Sequence, residues 1–221
     1  MSLFELKNVG YIYRTQYQQV EALRNISCSF KAGEMCAVMG TSGSGKTTLL
    51  SLMAGLDVPT SGEVLLDGVS TAAMDLSRYR REKIAVIYQD FRLFPLLTVQ
   101  ENVMYPMELR GMKTREAKER AAELVARVAL PKTALDRFPA MLSGGEQQRV
   151  AIARALGMET KVLLADEPTG NLDTKNSQAI VEILKELAHK EDYCVVVVTH
   201  DEKIGFEADR LLRLRDGEIV Q

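Results

Sequence analysis

The chain has 221 residues, of which 46% are hydrophobic, so it can bury a sizeable core in one domain or in one domain with an appended lobe. Its 28 basic and 30 acidic residues leave a formal net charge of -2, which gives no sign of the broad basic face that nucleic-acid binding needs. The longest apolar run, CVVVV, is too short to span a bilayer, and the N-terminus does not have the pattern of a signal peptide. The sequence therefore predicts a soluble chain without a nucleic-acid partner, and a second subunit would have to supply any membrane part.

The strand patterns predict two kinds of sheet. Residues 1–34 and 60–70 contain short strand-like segments, which favour a small antiparallel β subdomain. Four runs are apolar nearly throughout, at 35–40, 84–89, 162–166 and 194–200. Strands that are apolar on both faces belong in a parallel sheet covered by helices on each side. We therefore expect an α/β core with an antiparallel sheet beside it.

Helical periodicity fills much of the remaining chain. Residues 174–189 carry one apolar stripe, and 114–130 carry another, at Ala117, Ala121, Leu124 and Val128. We expect Pro131 to stop the second helix, and the tail to fold as a hairpin around Asp216–Gly217. The predicted division is a β subdomain (1–34 and 60–70), a core (35–59, 71–90 and 158–221) and an inserted α-helical subdomain (91–157).

A glycine-rich loop follows the first apolar strand of the core. GTSGSGKT, from Gly40 to Thr47, matches G-x-x-x-x-G-K-[ST] at every fixed position and lies between a strand and a helix. In such a loop the backbone N–H groups hold phosphate, Lys46 reaches the β and γ phosphates, and the Thr47 hydroxyl binds Mg²⁺. The alternative is a chance glycine-rich turn. The candidate nucleotide-binding residues are Gly40, Thr41, Ser42, Gly43, Ser44, Gly45, Lys46, Thr47 and Thr48.

Two carboxylates end a second core strand, VLLADE. Asp166 is the candidate metal ligand, and Glu167 is a candidate general base for water, a role that contributes about 10²–10⁴ in rate. By itself an Asp-Glu pair after a strand is more often a solvated strand end. The glycine-rich loop is what favours the catalytic interpretation.

A second glycine pair lies in LSGGEQQ, residues 142–148. Ser143 and Glu146 have the spacing of a capping box and could simply begin a helix. Gly144 and Gly145 are not explained by a cap, because glycine lowers helix propensity by up to about 1 kcal/mol per residue. Two glycines suggest a backbone that something approaches closely, and an exposed helix N-terminus is itself a phosphate site.

These motifs together resemble one family. LSGGEQQ is similar to the signature of ATP-binding cassette (ABC) transporter ATPases, and the other motifs follow in the order of that family: the loop at Gly40, Gln89 in YQD, the signature, VLLADE, NLD at 171–173, and His200 in VTHD. The resemblance covers essentially the whole chain. It implies a P-loop NTPase (RecA-like) core with an N-terminal antiparallel β subdomain and an inserted α-helical subdomain.

The resemblance also implies roles for single residues. Ser143, Gly144 and Gly145 would bind the γ-phosphate of ATP held by a second copy in a head-to-tail dimer with two shared sites. Gln89 would contact the metal and the membrane subunit, Asp173 would act across the dimer interface, and His200 would contact the γ-phosphate. Tyr13 in VGYIY would stack on adenine, with the neighbouring Tyr11 as the alternative.

The branch of the family is indicated by ADEPTGNLD, by the hairpin-like YRTQYQQVEALRNI near the start, and by FRLFPLLTVQENVMYPMELRG after Gln89. All three are similar to macrolide exporters, lipoprotein-release ATPases and antimicrobial-peptide exporters. The last segment could form a groove for a partner's coupling helix, or could pack within the helical lobe. We expect an ATPase that uses ATP and Mg²⁺, bound to a separate integral membrane permease at the cytoplasmic face of the cell membrane. The rival hypotheses are a P-loop small-molecule kinase and a soluble ABC protein of DNA repair or translation.

Overall fold

The computed structural model describes residues 2–14 and 16–220, whose strands form two sheets. The strands are β1 (Ser2–Arg14), β2 (Gln19–Lys31), β3 (Glu34–Met39), β4 (Ser61–Leu66), β5 (Val69–Ser70), β6 (Ile84–Ile87), β7 (Val162–Asp166), β8 (Cys194–Thr199), β9 (Arg210–Arg215) and β10 (Glu218–Val220). The α-helices are α1 (Lys46–Met53), α2 (Leu76–Glu82), α3 (Val99–Leu109), α4 (Thr114–Arg127), α5 (Gly144–Leu156), α6 (Thr174–Glu191) and α7 (Glu202–Glu207).

The smaller sheet is antiparallel and has the order β2-β1-β4-β5. The predicted antiparallel sheet is confirmed, but its strands β1 and β2 have 13 residues each and are not short. The larger sheet has the order β10-β9-β3-β8-β7-β6, and all its neighbouring pairs are parallel except β9 with β10. The four apolar runs form strands β3, β8, β7 and β6 of this sheet, as predicted, with β6 at its edge.

The parallel sheet is buried on both faces, and β8 shows why its sequence is apolar throughout. Val195 and Val197 pack in one core cluster with residues of helices α3 to α6. Val196 and Val198 pack in a second cluster with α1 and the antiparallel sheet. Successive side chains of a strand point to opposite faces, so a strand between two layers needs an apolar residue at every position.

The C-terminal tail forms the predicted hairpin. Asp216 (φ 49°) and Gly217 (φ 81°) lie in the left-handed region, as the two central residues of a type I′ turn require. The sequence did not indicate that β9 would also pair in parallel with β3, with Cys36 opposite Arg210. This pairing brings the hairpin turn close to the glycine-rich loop, where the Gly217 N–H donates to Ser44 O (3.1 Å).

The prediction that Pro131 stops the helix in 114–130 is wrong. Helix α4 ends at Arg127, and Ala129 (φ 57°) follows in the left-handed conformation. The Ala129 N–H donates to Ala126 O (3.0 Å) and the Leu130 N–H donates to Val125 O (3.1 Å), which is the bonding pattern of a Schellman motif. The helix has therefore ended before the proline is reached.

In the part of the chain that the structure describes, no helix combines the length and apolar character needed to cross a membrane.

Candidate functional site

The glycine-rich loop connects β3 to α1 and leaves the start of that helix without a side-chain cap. Its N-cap residue is Gly45 (φ 103°), and the first turn of α1 carries no acidic residue. A Cβ at Gly40 would lie 2.3 Å from Leu214 O, and one at Gly45 would lie 2.5 Å from Ala22 O. The loop therefore needs glycine at both positions. The first N–H groups of α1, which have no intrahelical partner, remain available for an anion.

Lys46 folds back over this loop. Its Nζ donates to the carbonyl oxygens of Gly40 (2.8 Å) and Thr41 (2.9 Å). The ammonium is thereby held against the loop, and Lys46 lines the cleft beside it. The residues present fit a phosphate group, because a positive side chain, an uncapped helix and two obligatory glycines meet at one point.

A cleft of about 910 Å³ opens beside the loop. It brings together most of the residues that the sequence singles out for nucleotide binding and catalysis. They are Tyr13, Thr41, Ser42, Gly43, Gly45, Lys46, Thr47, Thr48, Asp166, Glu167 and His200. Gly40 and Ser44 lie within the loop itself, and the Ser44 side chain is buried.

Glu167 and His200 are in direct contact. His200 Nδ1 donates to Glu167 Oε1 (2.8 Å), and Thr199 Oγ1 donates to Glu167 Oε2 (3.2 Å). Glu167 has a positive φ of 46°, a conformation that is costly for a residue with a Cβ, and its N–H donates to Val198 O (2.8 Å). The structure thus fixes the direction of this carboxylate at the ends of β7 and β8.

The carboxyl of Asp166 lies next to Glu167 and is partly buried. Burial raises its pKa, the negative charge of Glu167 raises it further, and Lys46 acts in the opposite direction. A bound cation would remove this penalty. With the Thr47 hydroxyl in the same cleft, the donors are two oxygens of the type that Mg²⁺ prefers.

The two tyrosines of VGYIY have different environments. Tyr11 is buried, its hydroxyl donates to Asp57, and that hydrogen bond is the largest cause that raises its pKa to about 12. Tyr13 is 46% exposed and lines the cleft, with its hydroxyl 3.1 Å from Thr48 Oγ1. Of the two, only Tyr13 presents its ring to the cleft.

The signature segment forms the capping box that its sequence indicates. Ser143 Oγ accepts from the Glu146 N–H (3.3 Å), and Glu146 Oε2 accepts from the Ser143 N–H (2.8 Å). A Cβ at Gly145 would lie 2.3 Å from Asn176, so packing within the chain requires this glycine. A Cβ at Gly144 would meet only ordinary contacts, the nearest at 3.5 Å. Packing within the chain therefore explains one glycine of the pair and not the other.

Gln89, the signature and Asp173 stand apart from the cleft lining. Gln89 Nε2 donates to Asn171 Oδ1 (3.5 Å), and Asn171 Nδ2 donates back to Gln89 O (3.2 Å). Asp173 caps α6 by accepting from the Asn176 N–H (2.9 Å), which is the main cause that lowers its pKa. Among the described residues, neither Gln89 nor Asp173 nor any of residues 142–148 lines the cleft.

The cleft also contains residues that the sequence analysis missed. They come from β2 and from the C-terminal hairpin, namely Val20, Glu21, Ala22, Arg24, Asp216 and Gly217. The four residues from β2 belong to no recognisable motif. The hairpin turn was found from its Asp-Gly signal, but its place at the cleft depends on the pairing of β9 with β3.

The comparisons with known proteins identify the family. The family model described as ABC transporter matches residues 23–170. The chain belongs to the ABC transporter family. It is 43% identical over 223 residues to the ABC transporter ATP-binding protein MJ0796 of Methanocaldococcus jannaschii. That alignment covers 98% of this chain and 95% of MJ0796. It is 41% identical over 222 residues to the macrolide export ATP-binding/permease protein MacB of Escherichia coli, with 99% of this chain and 34% of MacB covered.

A solved structure supports the same assignment. The dimeric post-hydrolysis state of the cassette MJ0796, bound to ADP and Pi, superposes with a TM-score of 0.91 at 41% identity and covers 99% of this chain and 97% of that one. The predicted fold class and the resemblance to the MacB branch are confirmed. This chain is an ATP-binding ABC ATPase.

Proposed function

We propose that two copies of this ABC ATPase close head to tail around two ATP molecules and that this cycle drives a separate membrane permease. The observation that carries the proposal is the division of the motifs over the surface. The phosphate loop, Asp166, Glu167 and His200 share one cleft, whereas the described lining of that cleft lacks the signature. The signature loop would then bind the nucleotide of a second copy, since Ser143 is exposed and packing within the chain does not explain Gly144. The dimeric form of the MJ0796 cassette supports this arrangement.

Within one copy, the loop from Gly40 to Thr48 holds the phosphates through its backbone N–H groups and Lys46. Tyr13 stacks on adenine, because its exposed ring lines the same cleft beside Thr48. Thr47 and Asp166, which share the cleft, would hold Mg²⁺. Gln89 hydrogen-bonds to Asn171 outside the described lining of the cleft, so it would have to turn from Asn171 to become a further ligand. When bound, Mg²⁺ neutralises charge that develops on the phosphate oxygens.

Glu167 acts as the general base. Its carboxylate is fixed by His200 and Thr199, and it accepts the proton of the attacking water. His200 donates to Glu167 through Nδ1, and a hydrogen bond from its Nε2 to the γ-phosphate would require a proton on that nitrogen as well. From the second copy, Ser143, Gly144 and Gly145 contact the same phosphate.

The test of the base is the Glu167→Gln variant. We expect ATP hydrolysis to fall by about 10²–10⁴ while ATP binding persists, because the amide keeps its size and cannot accept the proton. Glu63→Gln, a change of an exposed carboxylate on β4, serves as the control. Phosphate release is measured without any added acceptor, which also separates an ATPase from a kinase. Unchanged hydrolysis by Glu167→Gln would contradict the assignment.

The permease would bind at the cytoplasmic face of the membrane, through the inserted helical subdomain of residues 91–157. Support comes from several exposed apolar side chains on that part of the surface: Phe94, Leu96, Tyr105 and Leu109. The β subdomain (1–34 and 60–70) and the core (35–59, 71–90 and 158–221) would carry the nucleotide. The relatives named as macrolide exporters favour export of a drug, and the sequence resemblance adds export or extraction of a peptide or lipoprotein. Co-purification with a membrane protein from native membranes tests this part.

A further inference from the structure

Asn176 lies in the first turn of α6 and contacts two different motifs. Its backbone N–H donates to Asp173 Oδ1 (2.9 Å), and its side-chain Nδ2 donates to Asp173 Oδ2 (2.6 Å). Its Oδ1 accepts from Arg149 Nη1 on α5 (3.2 Å). One carboxamide therefore connects the NLD segment to the helix that begins with the signature.

The same side chain also lies against the first turn of α5. A Cβ at Gly145 would lie 2.3 Å from both Cγ and Oδ1 of Asn176. Because no side chain fits between them, the amide of Asn176 packs directly on the backbone of the signature. This planar group therefore links that backbone directly to Asp173.

The chemistry of the contact favours asparagine. Asp173 is held as a carboxylate, since the N–H groups that it accepts from lower its pKa, and it needs donors. Arg149 needs an acceptor. Asparagine offers a donor and an acceptor on one rigid group, whereas aspartate offers acceptors alone and would bring a second negative charge to Asp173.

We propose that Asn176 is a positioning residue that fixes the spacing between the signature loop and Asp173. The signature loop and Asp173 are the two parts of this chain that would contact the nucleotide bound by the second copy, so the inference rests on the proposed function. A change at Asn176 would then weaken the closed dimer and leave nucleotide binding by one copy intact. A residue that merely stabilised α6 would have no such selective effect.

The test uses the full chain with Glu167→Gln, which would trap the ATP-bound dimer. We expect Asn176→Ala and Asn176→Asp in this background to weaken ATP-dependent dimerisation by about tenfold, measured by sedimentation velocity with Mg-ATP. The factor corresponds to about 1.4 kcal/mol. ATP affinity of the single copy, measured with a fluorescent ATP analogue at low protein concentration, should change less than about twofold. Lys175→Ala, an exposed neighbour in the same turn, is the matched control and should behave like the parent.

The outcomes are distinguishable. If the parent Glu167→Gln protein does not dimerise, the proposed function fails and this inference fails with it. If the parent dimerises and the Asn176 variants dimerise as tightly, or lose ATP binding to the same extent as dimerisation, only the inference is overturned. Asn176→Asp preserves the size of the side chain, so it decides the question if Asn176→Ala does not fold.

Discussion

Replacing Ser143 by alanine separates its structural role from its role toward a second copy, because the chain contains a matched control. Thr98 and Glu101 form a capping box at α3 with the same geometry as Ser143 and Glu146 at α5. Thr98 Oγ1 accepts from the Glu101 N–H at 3.3 Å, as Ser143 Oγ does from Glu146. The reciprocal contacts to the N-cap N–H are 2.7 Å and 2.8 Å.

Loss of either cap should cost about 1 kcal/mol, which lowers the melting temperature of a chain of this size by about 2–4 °C. We expect Ser143→Ala and Thr98→Ala to show similar shifts in thermal unfolding without nucleotide. Hydrolysis should differ: a hydrogen bond to a charged group contributes about 1.5–3 kcal/mol, so Ser143→Ala should lower ATP turnover tenfold or more. Thr98→Ala should keep normal turnover.

The measurement is phosphate release at saturating Mg-ATP on both purified variants. If Ser143→Ala hydrolyses ATP as fast as Thr98→Ala, the serine is only a helix cap and the reasoning is refuted. If only Thr98→Ala lowers the melting temperature, the two caps are not equivalent and the energetic comparison fails.

Three further changes have defined outcomes. Burial raises the pKa of Asp166, so the folded state loses stability as pH rises from the ordinary carboxyl pKa to the raised one and the group ionises. Asp166→Asn removes this cost and should raise the melting temperature without nucleotide by up to about 2–4 °C. In the same thermal assay it should abolish stabilisation by Mg-ATP. Gly45→Ala should abolish ATP binding measured by calorimetry, since its φ is 103° and its Cβ would meet Ala22 O. The pKa values of Glu101 and Glu146 are lowered, mainly by hydrogen bonds from the cap N–H groups, so unfolding curves should show their stabilisation above about pH 4.3 and its loss as pH falls further.

Much of the fold and of the phosphate site could be predicted because their information is local. The apolar runs identify strands buried on both faces, and β8 has an apolar residue for each layer. The phosphate-loop pattern from Gly40 to Thr47 depends on consecutive backbone groups, so its spacing alone defines it. The hairpin at Asp216–Gly217 follows from a two-residue turn that requires positive φ.

Other features could not be read from neighbouring residues. The choice of Tyr13 over Tyr11 depends on which ring is buried near Asp57, and the contact of Glu167 with His200 depends on the register of β7 with β8. The end of α4 depends on Ala129 in the left-handed conformation, and the sequence has no glycine at that position to indicate it.

The sequence by itself therefore determined the strands, the turns and the phosphate loop, because each is encoded by the conformational preferences of residues that are adjacent in the chain. The tertiary structure decided which side chains meet, as with Asn176 between Asp173 and Arg149. The physical reason is that such contacts arise from packing and strand register between segments that are distant in sequence, which no local pattern specifies.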